Sequence, residues 1–316
     1  MQISIITPMY NASSYIESYF LGVSCQTIKD FEVILVDDCS TDDTILKAKK
    51  YPFKIIEIKE RQAPAKVRNY GAKNSSCDVL IFVDADIVLE PDSIEKIIES
   101  ISEPGVDAVS GIYSKNIPRA NFFSELQNLI PIYRLLKVPK YTNFINSAFC
   151  AIRRNVFEDV GGYDEKMSYY EDIDFGHRLI EKGYKIKFDP NLRVTHLKYY
   201  SHLSLLSDYF KKVTASAVYK RLYLQRKIKN DELPKSLKIA GIAVGFAFLS
   251  LFFIKISVIP FMLCLSVYSI AISPLLWFLI KNKNLIFGLK SYFACFEIFL
   301  VSFFAFGYGF LRGKNA

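Results

Sequence analysis

A short apolar run, Val79-Leu80-Ile81-Phe82-Val83, stops abruptly at Asp84-Ala85-Asp86. Five apolar residues with no polar alternation read as a strand buried on both faces, the habit of parallel sheets covered by helices. Acids at positions i and i+2 of an extended segment point to the same side. At the carboxyl end of such a strand, where these sheets bind ligands, the pair suits a hydrated divalent cation carrying phosphate oxygens. The competing reading is a solvated acidic loop ahead of a helix, and the pair alone does not choose between them.

The first hundred residues repeat the pattern. Ile3–Thr7, Phe31–Val36, Phe53–Ile58 and Asp107–Tyr113 read as further strands. A helix is expected from Asn11, with Ser14-x-x-Glu17 as a capping box. Another is capped by Ser40 or Thr41 and runs to about Lys50. Two more cover Ala65–Asn74 and, behind Pro91, Asp92–Ile101. Strands alternating with helices imply an α/β, mostly parallel sheet of Rossmann-like type. Asp37 and Asp38 end the second strand, so they should share a rim with Asp84 and Asp86.

The second half differs in kind. The chain of 316 residues is 51% hydrophobic, and the apolar excess is concentrated after Leu237. Residues 1–197 hold 24 basic and 28 acidic side chains, a balance of −4; residues 198–238 hold ten and three, +7; the rest hold six and one, +5. A basic stretch before apolar segments suits an anionic membrane leaflet better than nucleic acid. A span needs roughly 20 apolar residues. Three transmembrane helices are therefore expected, near 238–256, 258–280 and 286–311, giving a catalytic domain over 1–230 and a membrane domain over 231–316. The positive-inside tendency places the front domain in the cytoplasm, although Arg312 and Lys314 then fall outside. Lys290 and Glu297 lie inside the third segment. They either pair across two turns or against other helices, or mark a segment that begins at the interface. Residues 122–136, amphipathic and broken by Pro131, read either as a core helix or as a lip meeting lipid. Six cysteines without CxxC or Cys/His spacing read as reduced thiols. The start, Met1-Gln-Ile-Ser, enters a strand at once and lacks the features of a signal peptide.

Two more features carry chemistry. Glu171-Asp172-Ile173-Asp174 precedes a helical stretch. A carboxylate at a helix start is favoured in its charged form and suits a general base acting on a hydroxyl. A solvated first turn is the plainer alternative. His196 follows a short strand and becomes an arguable metal ligand because acid pairs stand elsewhere in the chain. Neither Gly-x-x-x-x-Gly-Lys nor Gly-x-Gly-x-x-Gly nor Gly-x-Ser-x-Gly occurs. Phosphate would then be held mainly through a cation that neutralises the leaving diphosphate.

Six segments stand in order: Thr7-Pro-Met-Tyr-Asn11, Val36-Asp-Asp-Cys-Ser-Thr-Asp42, Ala65-Lys-Val-Arg-Asn-Tyr-Gly71, Phe82-Val-Asp-Ala-Asp86, Asn155-Val-Phe-Glu-Asp-Val-Gly-Gly-Tyr-Asp-Glu165 and Glu171-Asp-Ile-Asp174. Together they resemble the family-two glycosyltransferases of GT-A fold over about residues 1–200. The resemblance implies inverting transfer from a nucleotide-diphosphate sugar. It implies that Pro8, Tyr10, Asp37 and Asp38 line the nucleoside pocket, with Arg68 and Asn69 near it. Asp84 and Ala85 would face the donor. Asp86 would bind Mg²⁺ or Mn²⁺ with His196 beside it, and Asp172 would be the base with Glu171 next to it. Ala12 stands where the family usually has Glu. The Gln-x-x-Arg-Trp motif of processive synthases is missing, which argues against a polymerase. The expectation is a multi-pass membrane enzyme moving sugar to a lipid-linked glycan or polyprenyl phosphate. A catalytically degenerate scaffold is the alternative, and the oligomeric state is left open.

Overall fold

The computed structural model describes residues 1–118, 120–222, 234–251 and 258–312. It divides into two units: Met1–Arg119 with Val138–Lys198, and Ala120–Lys137 with Tyr199–Ala316. The junction thus lies at residue 198 rather than near 230, because the helix over 202–222 packs with the later helices.

The first unit opens with β1 (Ile3–Met9), α1 (Ile16–Ser24), β2 (Glu32–Asp37), α2 (Thr44–Ala48), β3 (Lys54–Glu57), α3 (Pro64–Lys73) and β4 (Val79–Val83). These four strands pair in parallel, in the order β3-β2-β1-β4. All five residues of β4 are buried, which explains its unbroken apolar run. The chain continues through β5 (Ile87–Leu89), α4 (Ser93–Ser102) and β6 (Ala108–Tyr113), leaves the unit for α5 (Phe122–Leu135), and returns as β7 (Tyr141–Thr142), β8 (Phe149–Arg153), α6 (Arg154–Val160), α7 (Glu171–Glu181) and β9 (Ile186–His196). The sheet extends from β4 through β8, β6 and β9 to β5, with β8 antiparallel to both β4 and β6 and β7 paired on β9. At Gly111 the β6–β9 register shifts, and a Cβ there would meet the Leu192 carbonyl at 2.5 Å, so only glycine fits.

Two helix starts differ from expectation. Ser14 and Glu17 form no capping box: α1 begins at Ile16 with no side-chain cap. Helix α2 starts at Thr44, and Asp42, rather than Ser40 or Thr41, accepts the Thr44 backbone N–H at 3.0 Å.

The second unit contains α5 followed by α8 (His202–Leu222), α9 (Lys235–Ser250), α10 (Ile259–Asn282) and α11 (Leu285–Arg312). Two of these, α10 and α11, are long and apolar enough to cross a membrane. Helix α9 has 16 residues, and 252–257, where the first expected span would continue, lie outside the described residues. Glu297 pairs with His202 at 2.6 Å, not with Lys290.

Candidate active site

The expected residues come from the ends of β1, β2, β4 and β9 and the turns that follow, and from α3 and the start of α7. Asp84 and Asp86 are not side by side on an extended segment. They flank a tight turn between β4 and β5, closed by the Ile87 N–H donating to the Asp84 carbonyl at 3.0 Å. The turn aims them differently. Asp84 accepts from Arg68 Nη2 at 2.6 Å. Asp86 Oδ2 lies 3.6 Å from His196 Nε2, and its carbonyl accepts from the Leu197 N–H at 2.8 Å. β5 brings His196 there, because Ile87 and His196 are register partners.

Electrostatics separate the two acids further. Burial pushes the Asp84 carboxyl up, Arg68 opposes this, and the Asp86 charge adds to it. Burial acts on Asp86 too, but the His196 imidazole, by charge and hydrogen bond, holds its carboxyl below the usual range. Neighbouring acids with divergent environments take different roles.

Arg68 is buried, and its guanidinium also donates to Glu171 Oε1 at 3.1 Å. Burial opposes its charge, but Asp84 and Glu171 raise it above the ordinary arginine value. Its neighbour Asn69 turns elsewhere: Nδ2 donates to the Tyr163 carbonyl at 2.8 Å and Oδ1 accepts the Tyr163 N–H at 2.9 Å. A Cβ on Gly162, where φ is +69°, would come within 2.7 Å of that Oδ1. Asn69 therefore clamps the Gly161-Gly162-Tyr163 turn.

Glu171 and Asp172 begin α7 behind Tyr170, whose φ is +72°. Three acids, Glu171, Asp172 and Asp174, occupy the first turn. Asp174 is committed to Arg178 at 2.7 Å. Asp172 belongs to the acidic group whose field, with Asp84 and Asp86, bears on the buried Tyr113 hydroxyl.

Tyr113 was not legible in advance. Burial raises its hydroxyl well above the usual value, and the three acids add to the shift against a hydrogen bond from Asn146. Its ring stacks on His196 at 4.9 Å and 15°. A tyrosine ending an apolar strand, like β6, carries no signal that separates it from core.

The second acid pair ends β2. Asp38 Oδ1 accepts the Gln62 N–H at 2.8 Å, and its other oxygen pairs with Arg61. Arg61 lies over the Tyr10 ring at 3.4 Å. Asp37 Oδ2 accepts the Ser40 N–H at 3.0 Å, while its buried Oδ1 has no hydrogen-bond partner. Asn11 and Cys39 take positive φ, and Asn11 Oδ1 accepts the Thr41 N–H at 2.8 Å, tying the two loops together. Pro8 sits in β1 opposite Val36, and Ala85 is buried in the β4–β5 turn.

Among the described residues no group of three or more His, Cys, Asp or Glu is assembled to hold a metal ion. What stands ready is one carboxylate and one imidazole, Asp86 and His196. That oxygen and nitrogen pair would suit a borderline cation such as Mn²⁺, but supplies only two protein ligands.

The mixed, mostly parallel sheet, with paired acids at strand ends and an acidic helix start, is a Rossmann-like domain of GT-A type. Residues 4–161 match glycosyl transferase family 2, and the chain belongs to that family. It is 29% identical over 223 residues to the O-antigen chain rhamnosyltransferase WbaN of Salmonella anatum, covering 66% of this chain and 70% of that one. Its fold is similar to that of the mannosyltransferase PcManGT from Pyrobaculum calidifontis in complex with GDP-Man and Mn²⁺. That match has a TM-score of 0.57 and 19% identity, over 72% of this chain and 65% of that one. It is also similar to S. aureus TarS 1-349 in complex with UDP-GlcNAc, with a TM-score of 0.51, 18% identity, and coverage of 100% and 92%.

Proposed function

We propose that the chain is a metal-dependent, inverting glycosyltransferase. It takes a sugar from a nucleoside-diphosphate donor and places it on a hydroxyl of a lipid-linked glycan at the cytoplasmic face of a membrane. The observation that carries this reading is the divergence of Asp84 and Asp86 at one turn, one toward Arg68 and Glu171, the other toward His196. One acid then serves the donor sugar and the other the diphosphate. The O-antigen relative, a chain rhamnosyltransferase, supports a glycan acceptor. The two apolar helices and the basic stretch before them support a membrane location.

Tyr10 offers a ring on which a nucleobase stacks, and Asp37 and Asp38 offer acceptors for its N–H groups. Asp86 and His196 would hold Mg²⁺ or Mn²⁺, which when bound supplies positive charge to the departing diphosphate. Arg68 holds Asp84 and Glu171 in place around the donor. Asp172, at the positive end of α7, takes the acceptor proton as the hydroxyl oxygen attacks the anomeric carbon.

The test is transfer from radiolabelled nucleoside-diphosphate sugars to lipid extract by the purified protein. Asp172→Asn is expected to lower transfer by about 10³-fold while leaving donor binding intact. Undiminished transfer sinks the base assignment. Release of the label by mild acid as the free monosaccharide, not as a larger glycan, would instead identify a sugar–phosphate linkage and exclude the glycan hydroxyl.

A further inference from the structure

The last helix, α11, is long and apolar enough to cross a membrane, yet α5 and α8, which carry charged side chains, also pack along it. At its start, Lys283 pairs with Glu125 of α5 at 2.6 Å, and Phe287 meets Phe122 of α5 at 5.0 Å. Further along, Glu297 pairs with His202, the first residue of α8, at 2.6 Å, and His202 stacks on Phe123 of α5 at 5.0 Å. Residues 122–125 at the start of α5 thus reach both ends of the stretch from 283 to 297, the far end through His202.

Beyond Glu297, α8 runs alongside α11 in the same direction. Thr214 Oγ1 donates to the Ala305 carbonyl at 3.3 Å, and a Cβ on Gly309 would sit 3.1 Å from that of Ala217. Arg221 lies over the Phe310 ring at 4.6 Å and donates to the Phe310 carbonyl. Helix α8 is not a membrane-spanning sequence: it carries Asp208, Lys211, Lys212, Lys220 and Arg221.

Geometry makes these contacts incompatible with an upright α11. Fourteen residues of helix rise about 21 Å. A crossing helix would place positions 283 and 297 at opposite depths of a hydrocarbon core about 30 Å thick. Yet the start of α5 reaches both positions, directly at Lys283 and through His202 at Glu297. An upright α11 would also carry Asp208, Lys211 and Lys212 into hydrocarbon, where charged side chains are strongly disfavoured. The opposite side of the bundle is apolar and exposed, through Ile242 and Phe246 of α9 and Leu263, Val267, Ile270 and Trp277 of α10.

We propose that α11 lies along one leaflet instead of crossing it. Polar α5 and α8 then face water and headgroups, the α9–α10 face is sunk among the acyl chains of an anionic leaflet, and the C-terminus stays on the catalytic side. This rests on the membrane reading above. It also places Lys281, Lys283, Lys290 and Arg312 on one side, as the positive-inside tendency asks.

The test uses the full chain with one epitope at each end and a third inserted between Lys283 and Asn284, in the link between α10 and α11, in sealed, inverted membrane vesicles treated with protease. All three epitopes are expected to disappear together without detergent. Survival of the link epitope or of the C-terminal one until detergent is added, while the N-terminal one is lost, overturns the placement. Recovery of the chain in the soluble fraction overturns the placement and the membrane reading together. Sugar transfer measured on the same vesicles reports separately on the enzyme.

Discussion

Two parallel strands end in acid pairs, and the pairs are built in opposite ways. Asp37-Asp38 after β2 is largely satisfied from within: Ser40 and Gln62 give it backbone N–H groups, and Arg61 closes over it onto Tyr10. Asp84 and Asp86 after β4 are split by a turn, and each meets a different basic group, Arg68 or His196. The first pair resembles a recognition slot with a stopper. The second resembles an electrostatic device whose parts face the reacting atoms. Interactions that strengthen only in the transition state change turnover, whereas uniform binding interactions change affinity.

Substitutions should expose that difference. Asp86→Asn has the largest expected effect: turnover falls by about 10²- to 10³-fold, the scale of losing one group that stabilises developing charge. Chelation should abolish transfer by the unaltered enzyme, and added Mn²⁺ should restore it. Steady-state rates with and without chelator check both. Asp38→Asn should act on the donor's KM instead, raising it on the order of 10-fold for one charge-assisted hydrogen bond, with turnover nearly unchanged. A large turnover loss there would erase the distinction between the pairs. Arg61→Ala should move affinity the other way. Arg61 stabilises the donor-free slot by a cation–π contact and an ion pair together worth on the order of 1 kcal/mol. Its removal should tighten nucleoside-diphosphate binding several-fold by calorimetry.

The smallest effect concerns the β2 loop alone. Burial slightly opposes ionisation of Asp42, but hydrogen bonds from Ser13 and Thr44 hold its carboxyl down to about 2. A depressed carboxyl stabilises the fold above its unfolded value and loses that benefit as pH falls from there toward 2. Because Asp42 is exposed, the contribution is below about 1 kcal/mol. Asp42→Asn should lower the melting temperature slightly at neutral pH, with the difference vanishing in acid.

The parallel half of the sheet was legible because burial on both faces writes continuous apolar runs into β2 and β4, and a run interrupted by Ser4 and Thr7 into β1. The acids were legible because they interrupt those runs. The antiparallel half was not: β8 reads Phe149-Cys-Ala-Ile-Arg153, too short for periodicity to separate strand from helix. Without β5 and β9, no strand pattern put His196 beside Asp86; only the family resemblance did. Arg61 and Tyr113 reach the site through tertiary contacts. Their neighbours in sequence, a polar loop and a core strand, give no sign of it.

Adjacent residues of α3 grip both ends of one loop: Asn69 holds Tyr163, and Arg68 holds Glu171. The stretch between them, residues 164–170, is therefore mounted like a cassette in a frame. Its ends are set by that helix, which reaches inside the stretch where Asn69 Nδ2 donates to Glu165 Oε1 at 3.1 Å. Replacing the rest of the stretch with one of other length or chemistry should leave the donor slot and the α7 acids where they are.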